Sequence, residues 1–324
     1  MNERVFSLHT LGFLRTAVIS PELRVADVAF NTQAILVALD RAAAQGCQVV
    51  VFPELCVTGY SCGDLFYQAL LLQVTRTALS TIAAATATLG LAAVVGLPLE
   101  LGGRLFNCAA FLAEGRVLGV VPKSCLPNTN EYYEERWFTP AEHRTSDVIE
   151  IEGAVVPFTP DLLFSLNGFP GCVLGVEICE DLWSVNPPSG GLALAGATVL
   201  LNPSASVELL GKVEYRRDLV RQQSARCLAA YLYAGSNPGE STTDVVFGGH
   251  SLIAENGSIL VETERFQFTT QMAIADVDVQ RMIHERLKSN AFSAAGRKQA
   301  HTTVTFNLSS LAQPAPAPVL ARPA

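Results

Sequence analysis

The sequence has 324 residues, 49% of them hydrophobic, so the chain can bury one large core or two smaller ones. Its formal net charge of -8 and the lack of a basic cluster argue against a phosphate-backbone partner. Neither zinc-finger spacing nor a basic and aromatic stripe is present, so we expect no nucleic-acid binding.

The eight cysteines are scattered without a Cys-x-x-Cys pair, and the N-terminus MNERVFSLHT lacks the apolar region of a secretory signal. We therefore predict free thiols in a reducing cytoplasm. The uncharged stretch 77–99 is long enough to suggest a membrane span, but Gly90 and Pro98 interrupt it. A buried helix end followed by a buried strand explains the stretch better, so we expect no membrane association.

The first part of the chain alternates strands with helices. Apolar runs predict strands, and apolar residues at helical spacing predict helices. In chain order we predict a strand at 13–20, a helix at 27–45, a strand at 47–52, a helix at 65–89, a strand at 91–97, and a hairpin of strands 105–112 and 117–122.

After a polar, aromatic segment at 128–140, hairpins become more frequent. We predict strands at 148–151, 172–178 and 197–201, a helix at 210–229, a strand at 230–235, a hairpin through 256–257 and a strand at 271–276. Composition does not change before about residue 305, so residues 1–305 are expected to form one α/β domain of two mixed sheets covered by helices. Residues 306–324, ending in QPAPAPVLARPA, are interpreted as a Pro/Ala-rich tail or linker.

Three polar residues stand where a buried strand gives way to a loop. Glu54 follows VVVFP, Lys123 follows VLGVVP and Cys179 follows VLGVEI. Functional groups often collect beyond the carboxyl ends of strands. A thiol can attack a carbon, a carboxylate can carry protons and an ammonium can stabilise an oxyanion. A lone cysteine is more often a core residue, but the joint placement predicts a catalytic site.

The acidic neighbours of Cys179 in GVEICEDLW oppose the formation of a thiolate. Strand alternation predicts Glu177 on the same side as Cys179, about 7 Å away, where it opposes the thiolate by roughly 2 kcal/mol at an effective dielectric of about 20. An ammonium at about 4 Å contributes roughly 4 kcal/mol in the opposite direction. We therefore expect Lys123 to outweigh Glu177.

The three motifs FPELCVTGYS, VVPKSCLPN and VEICEDLW resemble, in this order, the Glu, Lys and Cys signatures of the nitrilase, or carbon-nitrogen hydrolase, superfamily. Four more segments resemble the N-terminal glutaminase domain of glutamine-dependent NAD+ synthetases: LPNTNEYYEERWFTP, ALAGATVLLNPSAS, SARCLAAYLYA and GESTTDVVFGGHSLIAENG. The resemblance implies an αββα sandwich and hydrolysis of glutamine to glutamate and ammonia through a cysteine thioester.

Residue by residue, the resemblance implies Cys179 as the nucleophile, Glu54 as the general base and Lys123 as the residue that stabilises the oxyanion. Glu134 matches a second carboxylate that supports the lysine. The implied substrate contacts are Tyr60, Tyr132, Glu180 and Ser206.

Other interpretations of these positions stay open. The two tyrosines could be packing aromatics, and Ser206 could cap the following turn. Three arginines on one predicted helix are expected to form a solvated or interface face rather than a substrate clamp: Arg216, Arg217 and Arg221.

Two features depart from the family. Thr129 stands where the family usually has an aromatic residue. The ATP-dependent synthetase domain is expected to be absent, because the only Ser-Gly-Gly, at 189–191, lacks the Asp-Ser of a phosphate loop and is interpreted as a turn. No metal or cofactor is therefore expected in this chain; ATP and deamido-NAD+ would bind the synthetase domain that receives the ammonia.

The resemblance also implies a homo-oligomer. Two other functions stay open at this point. A stand-alone amidase or nitrilase could use the same three catalytic residues on another amide or nitrile. A non-catalytic assembly module could share the fold without the activity.

Overall fold

The computed structural model describes residues 7–295, 300–312 and 320–322. Its strands are β1 Phe13–Ser20, β2 Val49–Val51, β3 Ala92–Leu101, β4 Arg104–Ala113, β5 Arg116–Pro122, β6 Val148–Ile151, β7 Ala154–Pro157, β8 Leu162–Leu166, β9 Val173–Val176, β10 Val199–Ser204, β11 Ala230–Gly235, β12 Leu252–Glu255, β13 Ser258–Glu262, β14 Gln271–Asp278 and β15 Thr302–Phe306. Its helices are α1 Val28–Ala44, α2 Ala69–Leu89, α3 Glu180–Trp183, α4 Pro188–Leu194, α5 Lys212–Cys227, α6 Val279–Lys288 and α7 Asn290–Ala295.

The strands form two large mixed sheets. One has the order β14-β1-β2-β3-β4-β5, with parallel pairing of β1, β2 and β3 and antiparallel pairing elsewhere. The other has the order β13-β12-β11-β10-β9-β8-β15, with β9, β10 and β11 parallel. A separate ribbon pairs β6 with β7.

Three apolar clusters separate four layers. The first joins α1 and α2 to the outer face of the six-stranded sheet, with Ile35 and Leu79 among its members. The second lies between the two sheets, where Val49 and Phe111 pack with Leu174 and Leu201. The third lies under α4 and α5 on the outer face of the seven-stranded sheet. The layers are therefore helix, sheet, sheet, helix, and the predicted αββα sandwich is confirmed.

Helix α2 begins later than predicted. A 3-10 segment, Tyr60–Tyr67, precedes it, and Gln68 is extended with φ -80° and ψ 118°. The helix therefore starts at Ala69 instead of residue 65. It ends at Leu89, and Gly90 follows as its cap with a φ of 69°, the left-handed conformation that glycine adopts at low cost.

The packed chain continues past the predicted domain end at residue 305. Phe306 is the last residue of β15, which pairs with β8, and its side chain is fully buried, as Leu308 nearly is. Most of QPAPAPVLARPA, residues 313–319 and 323–324, lies outside the described residues. Within that segment Arg322 pairs with Glu255, so this part of the predicted linker contacts the domain.

No helix among the described residues is long and apolar enough to cross a membrane. The stretch 77–99 instead forms the end of α2 and most of β3, as predicted. All eight cysteines lie in described segments and have free thiols.

Candidate active site

The loop after β2 carries Glu54 into the space between the sheets. The backbone of Pro53 to Leu55 crosses β3 at Gly96, where a Cβ atom would lie 2.2 Å from the Leu55 nitrogen. Only glycine allows this close approach. The Glu54 side chain is fully buried as a result.

Lys123 follows β5 directly and is also fully buried. Its backbone N–H donates to the Asn107 carbonyl oxygen at 2.8 Å. Its ammonium donates to Glu54 Oε1 at 2.6 Å and to the two carboxylate oxygens of Glu134 at 2.7 and 2.9 Å. The structure therefore brings together one cation and two carboxylates.

Three neutral groups complete the hydrogen bonds of these carboxylates. Asn107 Nδ2 donates to Glu54 Oε1 at 2.7 Å and to Glu134 Oε2 at 3.4 Å. The Ala205 N–H donates to Glu54 Oε2 at 2.9 Å, and the Tyr60 hydroxyl donates to Glu134 Oε1 at 2.7 Å. We call Glu54, Asn107, Lys123 and Glu134 the charged cluster.

Cys179 lies on a sharp turn between β9 and α3. Its φ of 43° and ψ of -100° are strained for a residue with a side chain. The Cys179 N–H donates to the Pro203 carbonyl and to Asn202 Oδ1, both at 3.0 Å, which fixes the turn against β10. The side chain is 3% exposed and packs between the sheets.

The predicted position of Glu177 beside Cys179 is wrong. Its carboxylate accepts hydrogen bonds from the Tyr231 hydroxyl and, at 2.7 Å, from the Ser189 N–H, on the face that α4 covers. Strand alternation fails here because β9 ends at Val176 and the positive φ of Cys179 turns its side chain to the same core as Ile178. Ser189 lies in α4, so the turn predicted at 189–191 is a helix.

The balance of charges around the thiol also differs from the expectation. Burial, followed by the Glu54 carboxylate, raises the pKa of Cys179 well above its usual range, and Lys123 lowers it less. Burial lowers the pKa of Lys123, but Glu134 and Glu54 raise it more. Because the Lys123 ammonium is already bonded to two carboxylates, it does not outweigh the other effects, and the resting thiol is protonated.

Glu134 is the second carboxylate of the charged cluster, and it is almost completely buried. Burial raises its pKa to about 7, although Lys123 opposes this shift. The two carboxylates share one ammonium, so the cluster with both ionised has an excess negative charge. A buried site of this kind favours proton uptake at a carboxylate.

Asp181 joins the loop of Lys123 to the turn of Cys179. Its Oδ1 accepts from the backbone N–H groups of Ser124 at 3.1 Å and Cys125 at 2.7 Å. Its Oδ2 accepts from the Ile178 N–H at 2.9 Å. Since these residues directly follow Lys123 and directly precede Cys179, this buried carboxylate fixes the two segments relative to each other.

The residues predicted to contact substrate lie around the same site. Tyr132 accepts from the Val207 N–H at 3.0 Å, and its ring meets that of Tyr60 edge to face at 6.4 Å. Ser206 is nearly buried and accepts from Arg216 at 3.4 Å. Glu180 is half-buried beside Cys179, and its charge raises the pKa of that thiol.

A cavity of about 290 Å³ opens over Tyr60 and Tyr132. A larger one, about 530 Å³, lies beside α4 and reaches Ser124 but none of the charged cluster. The smaller cavity is not lined by the charged cluster or Cys179 either, but Tyr60 in its wall donates to Glu134 at 2.7 Å, so it is the cavity connected to the cluster and volume alone does not identify the site.

The prediction of a solvated or interface face is wrong for Arg216. It is 1% exposed, donates to Glu208 Oε1 at 2.7 Å and lies 3.1 Å from His250 Nδ1. Arg217 and Arg221 are more exposed, in agreement with the prediction. The three arginines differ in exposure because Arg216 lies on the side of α5 that packs against the seven-stranded sheet.

Asn107 and Asp181 were not identified from the sequence. Asn107 interrupts the apolar strand RLFNCAAF, and a polar residue within a buried strand was the available signal. Asp181 lies inside a motif that was identified, but its backbone partners at 124 and 125 are distant in sequence. Glu240, whose carboxylate accepts from the Tyr60 N–H at 2.6 Å, was likewise not identified.

Comparison with known proteins gives a family and several relatives. The profile of the carbon-nitrogen hydrolase family matches residues 15–286, most of the chain. The sequence is 42% identical over 312 residues to the glutamine-dependent NAD(+) synthetase of Mycobacterium tuberculosis, covering 96% of this chain and 46% of that protein. It is 29% identical to the human protein of the same name, covering 73% of this chain and 34% of that protein. The chain therefore spans about half the length, or less, of these curated relatives.

Similar proteins are also found among solved structures. A glutamine-dependent NAD(+) synthetase from Cytophaga hutchinsonii superimposes with a TM-score of 0.73 and 30% identity, covering 82% of this chain and 43% of that one. An amidase from Nesterenkonia sp. AN1 superimposes with a TM-score of 0.66 and 21% identity, covering 85% of this chain and 94% of that one. At this identity, the likeness to the amidase shows that the two proteins share a fold.

Proposed function

We propose that this chain, which belongs to the carbon-nitrogen hydrolase family, hydrolyses the side-chain amide of glutamine to glutamate and ammonia. We also propose the larger enzyme to which this activity belongs: the chain acts as the glutaminase part of a glutamine-dependent NAD+ synthetase. The relatives that carry this name match the present chain over less than half of their own length.

The observation that carries the proposal is the placement of Cys179 beside a buried carboxylate and ammonium. Lys123 donates to Glu54 at 2.6 Å, and Asp181 joins the loop after Lys123 to the residue before Cys179 through backbone N–H groups. Both charged groups are near enough to change the pKa of the thiol. A nucleophile, a proton acceptor and a cation are the groups that acyl transfer requires.

The protonated resting thiol determines the first step. Glu54 accepts the Cys179 proton as the sulfur attacks the amide carbon, so a thiolate need not accumulate beforehand. Lys123 stabilises the oxyanion together with a backbone N–H; that of Glu180 lies in the first turn of α3, where such groups have no intrahelical partner. When the C–N bond breaks, the proton on Glu54 passes to the departing nitrogen and ammonia leaves.

The second step releases glutamate. The acyl group remains on Cys179 as a γ-glutamyl thioester. Glu54, again a carboxylate, takes a proton from water as the water oxygen attacks the thioester carbon. The C–S bond breaks, the sulfur recovers the proton from Glu54, and glutamate departs. These groups supply the proton transfers and charge stabilisation, and we propose that hydrolysis uses no cofactor.

We assign the substrate contacts to the residues around the cavity. Tyr60 and Tyr132 line it. Glu180 directly follows Cys179, and Ser206 directly follows Ala205, whose N–H donates to Glu54 of the charged cluster. Glu134 supports Lys123 through both carboxylate oxygens. ATP and deamido-NAD+ would bind a synthetase part, which would consume the ammonia.

We further propose a homo-oligomer in the cytoplasm. The eight free thiols are compatible with a reducing compartment.

The test combines a substrate panel with active-site labelling. Ammonia release is measured from glutamine, asparagine, aliphatic amides and nitriles. We expect glutamine to be preferred; preference for another amide or nitrile would instead assign a stand-alone amidase or nitrilase.

A glutamine-mimicking electrophile is then mapped by mass spectrometry. We expect one adduct on Cys179. The matched control is Cys125→Ser, which removes a half-buried thiol near the site and should leave labelling unchanged. Scattered labelling without turnover would instead favour a non-catalytic module.

A further inference from the structure

Asn107 lies in the middle of β4, between Phe106 and Cys108, and is 1% exposed. A buried amide in an apolar strand costs free energy unless its donors and acceptor are bonded. Packing alone therefore does not explain an amide at this position, and its hydrogen bonds must be considered.

Asn107 contacts every charged residue of the cluster. Its side-chain nitrogen donates to Glu54 at 2.7 Å and to Glu134 at 3.4 Å. Its backbone oxygen accepts from the Lys123 N–H at 2.8 Å. One neutral residue thus holds the two carboxylates and the backbone of the lysine that bridges them.

The orientation of the Asn107 amide is determined by its partners. An ionised carboxylate only accepts hydrogen bonds, so the nitrogen of the amide must face Glu54 and Glu134. The other amide atom, Oδ1, is buried and has no hydrogen-bond partner in the part of the chain that the structure describes. The amide keeps this orientation although it leaves a polar atom unbonded, which indicates that the bonds to the carboxylates dominate.

We propose that Asn107 is a positioning residue for Glu54, an inference that rests on the function proposed above. Glu54 Oε1 accepts from both Lys123 and Asn107, and Oε2 accepts from the Ala205 N–H. When the Lys123 ammonium turns to the oxyanion, Asn107 is the donor that remains on Oε1 and holds the plane of the carboxylate. Its amide nitrogen also separates Glu54 from Glu134 without passing a proton between them.

Two variants test this role. Asn107→Leu removes the donor at similar volume, and Asn107→Asp adds a third carboxylate with almost the same shape. The matched control is Thr16→Val, which removes a buried hydrogen bond to the Ala275 carbonyl in the same sheet, away from the charged cluster.

The expected results separate positioning from structure. In both Asn107 variants we expect kcat for glutamine to fall about 10²-fold with little change in KM, because the base is displaced. The acid limb of the pH profile of kcat/KM should also move to higher pH, by about one pH unit for Asn107→Asp. Asn107→Leu removes a hydrogen-bond donor from the carboxylates and Asn107→Asp adds a negative charge, and both changes favour protonated carboxyl groups. The ionisable groups facing Asn107 are Glu54, Lys123 and Glu134, with Tyr60 and Cys179 next to them. Thr16→Val should leave kcat and the acid limb unchanged.

Alkylation of Cys179 by iodoacetamide, followed against pH, gives a measurement that needs no substrate. If the wild-type chain hydrolyses no glutamine but the pH dependence of alkylation shifts in Asn107→Asp, the proposed function fails and the positioning role stands. An unchanged acid limb and unchanged alkylation in a folded Asn107 variant would overturn the positioning role. If Asn107→Leu does not fold, Asn107→Asp alone decides.

Discussion

The charged cluster and a second group of buried carboxylates differ in how their charges are balanced. In the second group, which we call the edge cluster, Glu255 pairs with Arg281 and Arg322, and Asp276 pairs with Arg15. Both carboxylates are fully buried, but the side chains of the three arginines are 18% to 46% exposed. Positive charge exceeds negative charge here, and the cations reach water.

The charged cluster has the opposite arrangement. Glu54 and Glu134 share the one ammonium of Lys123, and all three are 0% or 1% exposed. Burial raises the pKa of Glu134 to about 7. The difference teaches that burial of a carboxylate does not by itself mark a reactive site. A shortage of cations away from water, beside the thiol proposed as the nucleophile, is the distinguishing feature.

The largest effect is expected from Cys179→Ala, which should abolish ammonia release from glutamine, a loss of about 10⁴-fold or more. The small side chain packs without an ionised group, so the circular dichroism spectrum and thermal midpoint should stay near those of the wild type. Turnover within tenfold of the wild type would contradict the role of Cys179 as nucleophile.

Lys123→Met should abolish turnover as well, but it should also destabilise the fold. Removing the ammonium leaves two buried carboxylates without their cation, at a cost of about 3–5 kcal/mol. Urea unfolding measures the loss; unchanged stability would show that the cluster is more solvated than its burial indicates.

Glu54→Gln should prevent both acylation and thioester hydrolysis, with a loss of about 10²–10⁴-fold in each. The amide cannot accept and return a proton, whereas the hydrogen bond from Ala205 can be kept by its oxygen. Rapid-quench measurement of the acyl-enzyme separates the two steps. A normal acylation burst would assign the first proton transfer to another group.

Asp181→Asn should lower kcat by about 10²-fold, because one of the atoms that now accept from the Ser124, Cys125 and Ile178 N–H groups would become a donor. The charged cluster itself keeps its composition. Steady-state kinetics with glutamine provide the measurement. Unchanged kcat in a folded Asp181→Asn variant would show that the two loops hold their positions without this carboxylate.

Local sequence patterns predicted the layers and much of the strand and helix order. The runs of β1 and β11 and the helical spacing of α1 carry their signal within a few residues, so their positions agree closely with the structure. The short strand β15 was not predicted, because its pairing partner β8 lies more than a hundred residues away along the chain. Local patterns alone do not reveal such a partner.

The site shows the same limit. Glu54, Lys123 and Cys179 follow apolar strands, so strand ends identified them. The prediction that Glu177 faces the same side as Cys179 was wrong, because a backbone turn at Cys179, not strand alternation, sets the direction of the Cys179 side chain. Asn107 and Arg216 become significant only through partners from other elements.

Glu240→Gln should change how stability depends on pH. Burial raises the pKa of Glu240 from 4.5 to about 7, although the Tyr60 N–H opposes this. Since the folded-state pKa is raised, the stabilising contribution of protonated Glu240 is complete below about pH 4.5 and is lost as pH rises to about 7. The glutamine variant stays neutral, so its stability relative to the wild type should rise by about 3 kcal/mol between about pH 5 and pH 8.

Urea unfolding of both proteins at these two pH values measures the change. Glu255→Gln is the matched control from the edge cluster, because the Glu255 carboxylate has two arginine partners. The Glu255→Gln protein should be less stable than the wild type at both pH values. A constant difference between Glu240→Gln and the wild type across this range would contradict the raised pKa.

The smallest effect is expected at the edge cluster from Arg322→Ala. Arg322 donates with both Nη atoms to Glu255 at 2.8 Å and with Nη1 to the Asp276 carbonyl at 3.0 Å, and it thereby links β12 of one sheet to β14 of the other. Arg281 remains beside Glu255 in the variant, so the carboxylate is not left without a cation. Unfolding free energy should fall by about 1–2 kcal/mol, measured in urea. The variant still has two arginines for the two carboxylates of the edge cluster, and the charged cluster is untouched. We therefore expect kcat for glutamine to stay within twofold of the wild type, about 0.4 kcal/mol. A larger loss of activity would show that the edge cluster is coupled to the site and would remove the distinction between the two groups of buried carboxylates.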